Sequence, residues 1–212
     1  MQAHAIPRAA MIGAASGVLL MAFFSSAWAS LVVGSLNGWG EIFLFPLVCF
    51  LGILQLSAGI YLLMMARRFP VATADQQTQG RKIGKWYGIT FGMEGLLIGV
   101  ASAVCNLLGY ADFLLPVIAL IVGLHFYPFA WIFNRHIDYW VASWTCLVAL
   151  VALIVFPVTP TVLGGIHINL QWFVCGLGTA IATWIYSVYG CSEGLRMLRS
   201  NNQREAQIGL AQ

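Results

Sequence analysis

Six apolar runs, each long enough to cross a bilayer, constrain this chain more than any other feature. They lie near Ala9–Gly34, Glu41–Ala66, Ile83–Leu107, Ala111–Phe133, Asp138–Phe156 and Asn169–Leu195. A helix of about 20 mostly apolar residues crosses about 30 Å of hydrocarbon. It also satisfies its own backbone hydrogen bonds, which lipid cannot do. A barrel would show short alternating segments in place of these continuous runs. Composition excludes a soluble domain: only 8% of the 212 residues are charged and 60% are hydrophobic, against about 25% charged in soluble proteins. The expected fold class is therefore an all-α integral membrane protein, a single domain of six transmembrane helices.

Charge sets the expected topology. The ten Lys and Arg all fall at one set of helix ends. Arg8 precedes the first run. Arg67, Arg68, Arg81, Lys82 and Lys85 lie between or beside the second and third. Arg135 separates the fourth and fifth, and Arg196, Arg199 and Arg204 follow the sixth. The other three connections carry no Lys or Arg. The positive-inside rule then places the N and C termini, the 67–82 loop and the 196–212 tail in the cytoplasm. The expected location is the bacterial inner membrane, with Trp39 and Trp172 at its outer boundary and Trp86, Trp131 and Trp140 at its inner one. The net charge of +3 follows from that topology and favours anionic lipid. It carries no reading of nucleic-acid binding.

Residues 1–30 combine Arg8, an apolar core and Ala27-Trp28-Ala29, the pattern of a signal peptide. The apolar run is long for a signal, which favours an uncleaved first helix. Cys49, Cys105, Cys146, Cys175 and Cys191 all fall within spans, without C-x-x-C or Cys/His metal spacing. They are expected to act as small buried hydrophobes, with no metal site.

The connections add detail. RRFPVATADQQTQGRK (67–82) reads as a flexible polar loop. The links LLGYAD and NRHID are short, so helix three should pair with four and four with five. Asp138 is placed to cap helix five. PVTPTVLGGIHIN (157–169), rich in Pro and Gly, is expected to fold over the outer face. The tail NNQREAQIGLAQ is expected to be mobile. Two inverted halves of three helices, as in many transporters, are permitted by this topology, although the halves do not match in sequence.

The third run carries the most information. Gly84, Gly88, Gly92, Gly95 and Gly99 fall within an arc of about 80° on a helix. Such a ridge lets another backbone approach closely. It is expected to pack inside the bundle, with a homodimer face as the sharper alternative. Glu94, in FGMEGLLIGV (91–100), sits about 120° from the ridge centre, alongside Tyr87, Thr90, Ala101 and Cys105. One face docks and another presents an acid.

Depth connects Glu94 to other helices. It lies about 13 Å along its helix from Lys85, His125 about 15 Å from Arg135, and Gln55 about 18 Å from Arg67. Successive helices thus place Glu94, His125 and Gln55 near the midplane, and the hairpin of helices three and four allows Glu94 and His125 to meet. An ionised acid at that depth costs about 3 kcal/mol or more. Two states avoid this: a protonated Glu94, or a proton shared with His125, the pair then titrating as a unit. Either suits a proton relay, and either also suits a static bond that fixes helix packing. Tyr87, Thr90 and Pro128 are accessory candidates. Pro128 lacks an N–H for the carbonyl of Leu124, so helix four should kink or loosen beside His125.

The segment GLHFYPFA (123–130), following an acid in the preceding helix, resembles a group of small uncharacterised polytopic bacterial membrane proteins with a GLHFxPLA-type motif. The likeness covers Phe91–Phe133, and Phe129 stands where the motif has Leu. It implies a six-helix membrane protein and no particular activity.

Three functions compete. Small-solute or proton-linked transport would use Glu94 and His125 as its polar centre. A non-catalytic membrane protein that binds a partner would use the glycine ridge. An intramembrane enzyme or cofactor protein ranks third. His4, His136 and His167 lie outside the spans or at their boundaries, so paired histidines for haem are not expected. Glu94 and His125 alone are too few to hold a metal, and no nucleophile motif, phosphate loop or HExxH occurs. No cofactor is assigned.

Overall fold

A computed structural model describes residues 5–210 apart from 37, 157–158, 160 and 164–165. The helices are α1 (Arg8–Ser35), α2 (Trp39–Met65), α3 (Ala74–Leu107), α4 (Leu114–Phe133), α5 (His136–Val155) and α6 (Leu170–Leu210). All six are long and apolar enough to cross a membrane, and the chain is an integral membrane protein. A small antiparallel hairpin, β1 (Thr161–Leu163) with β2 (Ile166–Ile168), precedes α6.

The helices pack in the order α2–α1–α6–α5–α4–α3, with α1 against α6 at the centre. That row is curled, since α6 also touches α2 and α4. Central helices are therefore the most buried and the ends of the row the least. Trp28 and Ala29 of α1, within the signal-like segment, lie in the main apolar cluster with Ala119, Ala149 and Cys175. At the opposite extreme, Glu94 is the one buried residue of α3.

Close packing relies on glycines outside the α3 ridge. A Cβ added at Gly176 of α6 would sit 3.0 Å from the Trp28 carbonyl oxygen. One at Gly123 of α4 would sit 2.9 Å from the Cys146 amide nitrogen of α5. Around each ridge glycine (Gly84, Gly88, Gly92, Gly95 and Gly99) a Cβ would meet nothing within 4 Å. The expectation that the ridge docks inside the bundle is thus overturned. As the last helix in the row, α3 packs mainly against α4 and turns its ridge away from it.

Three connections differ from expectation. Most of the 67–82 loop is helical, because Thr73 and Gln76 form a reciprocal capping box that starts α3 early, satisfying two N-terminal donors at once. The tail is helical to Leu210. It lacks Pro and is held by Arg196–Glu193 (2.7 Å) and Asn201–Glu205 (2.9 Å) pairs one turn apart, which support helix. At 41 residues α6 is about 60 Å long, roughly twice the hydrocarbon thickness. Asp138, finally, is not the cap of α5: the capping position is Arg135, without a side-chain cap bond, and Asp138 is fully buried.

Other expectations hold. The short links pair α3 with α4 and α4 with α5, through Gly109 (φ 76°) and Asn134 (φ 49°). In the 157–169 link the hairpin lies at Thr161–Ile168, and Asn169 ties it to the bundle by donating its N–H to the Ser35 carbonyl (3.0 Å). Asn169 also caps α6 by accepting from the Trp172 N–H (3.1 Å). Trp86, Trp131 and Trp140 are exposed. The Trp39 side chain and residues 157–158, 160 and 164–165 of the outer link lie outside the described residues.

Candidate functional site

The inward face of α3 is Glu94's face. Tyr87, Phe91 and Glu94 recur at three- and four-residue spacing and turn toward α4, where Phe129 and His125 meet them. Glu94 and His125 are brought together: His125 Nδ1 lies 3.4 Å from Glu94 Oε1, with the side chains 9% and 7% exposed. That separation is ion-pair reach and long for an aligned hydrogen bond. Nδ1 accordingly has no hydrogen-bond partner among the described residues.

Aromatic rings surround the imidazole. Phe126, Phe129 and Phe91 have ring centroids 4.3, 5.1 and 5.7 Å from it. Phenyl rings offer no conventional hydrogen bond, so within this cage Glu94 is the ionisable group that faces Nδ1. The low-dielectric surroundings strengthen whatever forms between the two.

A cavity of about 20 Å³ adjoins the pair, between Trp28 and Phe24 of α1, Glu94 of α3, His125 of α4 and Thr183 of α6. It has room for about one water. Thr183 donates its hydroxyl proton to its own helix, at the carbonyls of Ala180 (2.9 Å) and Thr179 (3.0 Å), which leaves oxygen lone pairs available. The site can therefore hold a proton between carboxyl and imidazole, with a hydroxyl as the remaining polar wall.

The other candidates are distributed elsewhere. Gln55 belongs to a separate bond: its Oε1 accepts from Ser25 of α1 at 2.7 Å, so α1 answers it before it can reach Glu94. Tyr87 stacks on Phe129 (5.0 Å, 8°), which braces α3 against α4. Thr90 donates to the Trp86 carbonyl (3.0 Å) within its own helix. Pro128 and Leu124 lie on the exposed face of α4, and the helix continues through them. His125 points inward, so the loosened turn and the imidazole do not share one site.

No protein-family model matches this sequence, no curated protein matches it, and no solved structure matches it. The chemistry has to be read from its own residues.

Two polar features were not read from the sequence. The first is a buried centre at the α4–α5 turn. Arg135 Nε lies 3.2 Å from Asp138 Oδ2, and an Arg135 terminal nitrogen donates to the Tyr186 hydroxyl of α6 at 2.9 Å. The guanidinium also sits 4.4 Å from the Phe133 ring centroid. The three-residue separation of Arg135 and Asp138 is the signal in the sequence for such a pair. The second is a seam on α6. Gln171, Cys175, Thr179, Thr183 and Ser187 recur every fourth residue, each at most 2% exposed. Small polar residues at such spacing let membrane helices approach closely, and α6 has more packing neighbours than any other helix. Among the described residues, no three His, Cys, Asp or Glu gather as metal ligands would.

Proposed function

We propose that this is a proton-linked transport protein of the bacterial inner membrane, with its arginine-bearing end in the cytoplasm and the transported proton held between Glu94 and His125. The observation carrying this reading is the 3.4 Å approach of two midplane ionisable side chains, each less than a tenth exposed. Lone ionisable groups at that depth are costly, which makes such pairs functional candidates. The adjoining cavity of about 20 Å³ suits a proton and a water. It is far below the roughly 300 Å³ of a small-molecule site, so a coupled solute would require the helices to part. The weakly held α3, packed mainly against α4, is the element able to move.

Proton flux in proteoliposomes tests this. Glu94→Gln keeps the shape of the side chain and removes its exchangeable proton. His125→Ala removes the other carrier. Each is expected to lower flux about 100-fold, within the usual contribution of a positioned proton-transfer group. Flux equal to that of the wild type in both variants, or no flux in the wild type, would sink the proposal.

The uncovered ridge supports a second reading, a membrane protein that binds a partner through α3. Its five glycines face open space, and the occupant we favour is a second copy of the chain, ridge against ridge. Energy transfer between labelled chains in liposomes should then fall at least several-fold in Gly92→Leu. Transfer unaffected by that bulky residue would exclude the ridge as the contact.

A further inference from the structure

A groove of about 360 Å³ opens at the end of the bundle that carries the arginines, between the end of α2, the chain's N-terminal segment and the extension of α6. Its apolar wall is Phe69 and Pro70. Phe69 is buried in a cluster with Met11, Ala66 and Leu198, so the groove is rooted in the membrane bundle. That wall is fixed in place: the Arg8 N–H donates to the Pro70 carbonyl (2.8 Å), and Gln76 donates to the Ala5 carbonyl (3.3 Å).

The polar wall is Arg68, Asn201, Arg204 and Glu205. Neither arginine takes part in an ion pair among the described residues, where the pairs are His125–Glu94, Arg135–Asp138 and Arg196–Glu193. Glu205 accepts from Asn201 within α6 (2.9 Å), so its carboxylate is already engaged. The groove has two positive side chains and one negative, a net charge of +1. Arginine forks match phosphate oxygens in charge and geometry. Arg68 ends the second span. Asn201 and Arg204 lie about 5 and 9 Å beyond Leu198 along α6, on the stretch of that helix that follows its apolar run and carries Arg196 and Arg199.

We infer that this groove binds a phosphodiester monoanion, of the kind an anionic phospholipid headgroup presents. One such group would neutralise the groove's net charge and relieve the repulsion between the two guanidiniums. Basic pockets between transmembrane helices bind acidic headgroups in this way. The inference does not depend on the proton-transport reading.

The test uses the full chain purified in detergent, with bound lipid read by native mass spectrometry. Phosphatidylglycerol should be retained about tenfold better than phosphatidylcholine, whose choline adds a positive charge. Arg68→Gln and Arg204→Gln should each reduce that retention about tenfold, the scale of one charge-assisted contact. Both arginines are exposed, so the variants should keep the wild-type helical circular dichroism. Competition distinguishes the source of the phosphate. Displacement of phosphatidylglycerol by millimolar inorganic phosphate would show that the same site takes a soluble phosphate. Resistance to it would show that the lipid is the ligand. Equal retention of the two lipids, or wild-type retention in both variants, overturns the inference.

Discussion

Replacing Arg135 by alanine is expected to destabilise the protein by about 3–5 kcal/mol, read as a fall in the thermal midpoint in detergent. The size follows from what is left behind. Asp138 is fully buried, and Arg135 lies 3.2 Å from it as its ion-pair partner. Removing the guanidinium takes the ion-pair partner from a carboxylate in the interior and also removes the hydrogen bond that Arg135 gives to the Tyr186 hydroxyl. The reverse change should cost less. In Asp138→Ala, Arg135 keeps Tyr186 and the Phe133 ring, and its side chain is 30% exposed, so water can reach it. Removing both charges together, as Arg135→Met with Asp138→Leu, should recover most of the loss, because apolar side chains of similar volume commonly replace a buried pair at little cost. Equal losses in the two alanine variants, or no recovery in the double variant, would mean that Arg135 acts through something other than this pair.

Gly123→Ala is expected to cost about 1–3 kcal/mol, the range for forcing extra volume into a packed core, while Gly92→Ala leaves stability unchanged or slightly higher. The added methyl at Gly123 meets the Cys146 Sγ at 2.6 Å and its backbone nitrogen at 2.9 Å. A thiol can rotate aside, but a helix backbone cannot, so α4 and α5 must separate. At Gly92 nothing lies within 4 Å, and alanine is the better helix former. Denaturation of both variants in detergent as monomers decides the matter. A loss at Gly92 matching that at Gly123 would show that the ridge is packed within the chain after all.

The two faces of α3 were legible because helical angles follow from residue spacing alone, and Glu94 does lie apart from the glycines. Its meeting with His125 was also within reach, since a six-residue link forces α3 and α4 into a hairpin and depth counted from the cationic ends is additive. Gln55 was placed at a similar depth by the same counting. Depth says nothing about azimuth, and Ser25 of α1 takes it. Asp138 was misread because a helix's first turn serves either a cap or a buried pair, and only the position of the neighbouring α6 selects between them.

The sequence by itself determined the six spans, the clustering of positive charge at one set of ends, and the height of each polar side chain along its own helix. These depend on local composition and on helical rise and rotation, which no neighbour alters. Tertiary structure alone decided which faces are covered. It left the glycine ridge of α3 open, buried Asp138 beside a partly exposed Arg135, and enclosed Glu94 and His125 beside a one-water cavity. Lipid is as apolar as the helix faces it touches, so hydrophobic patterning does not tell a packed face from an exposed one. The order of helices in the bundle does.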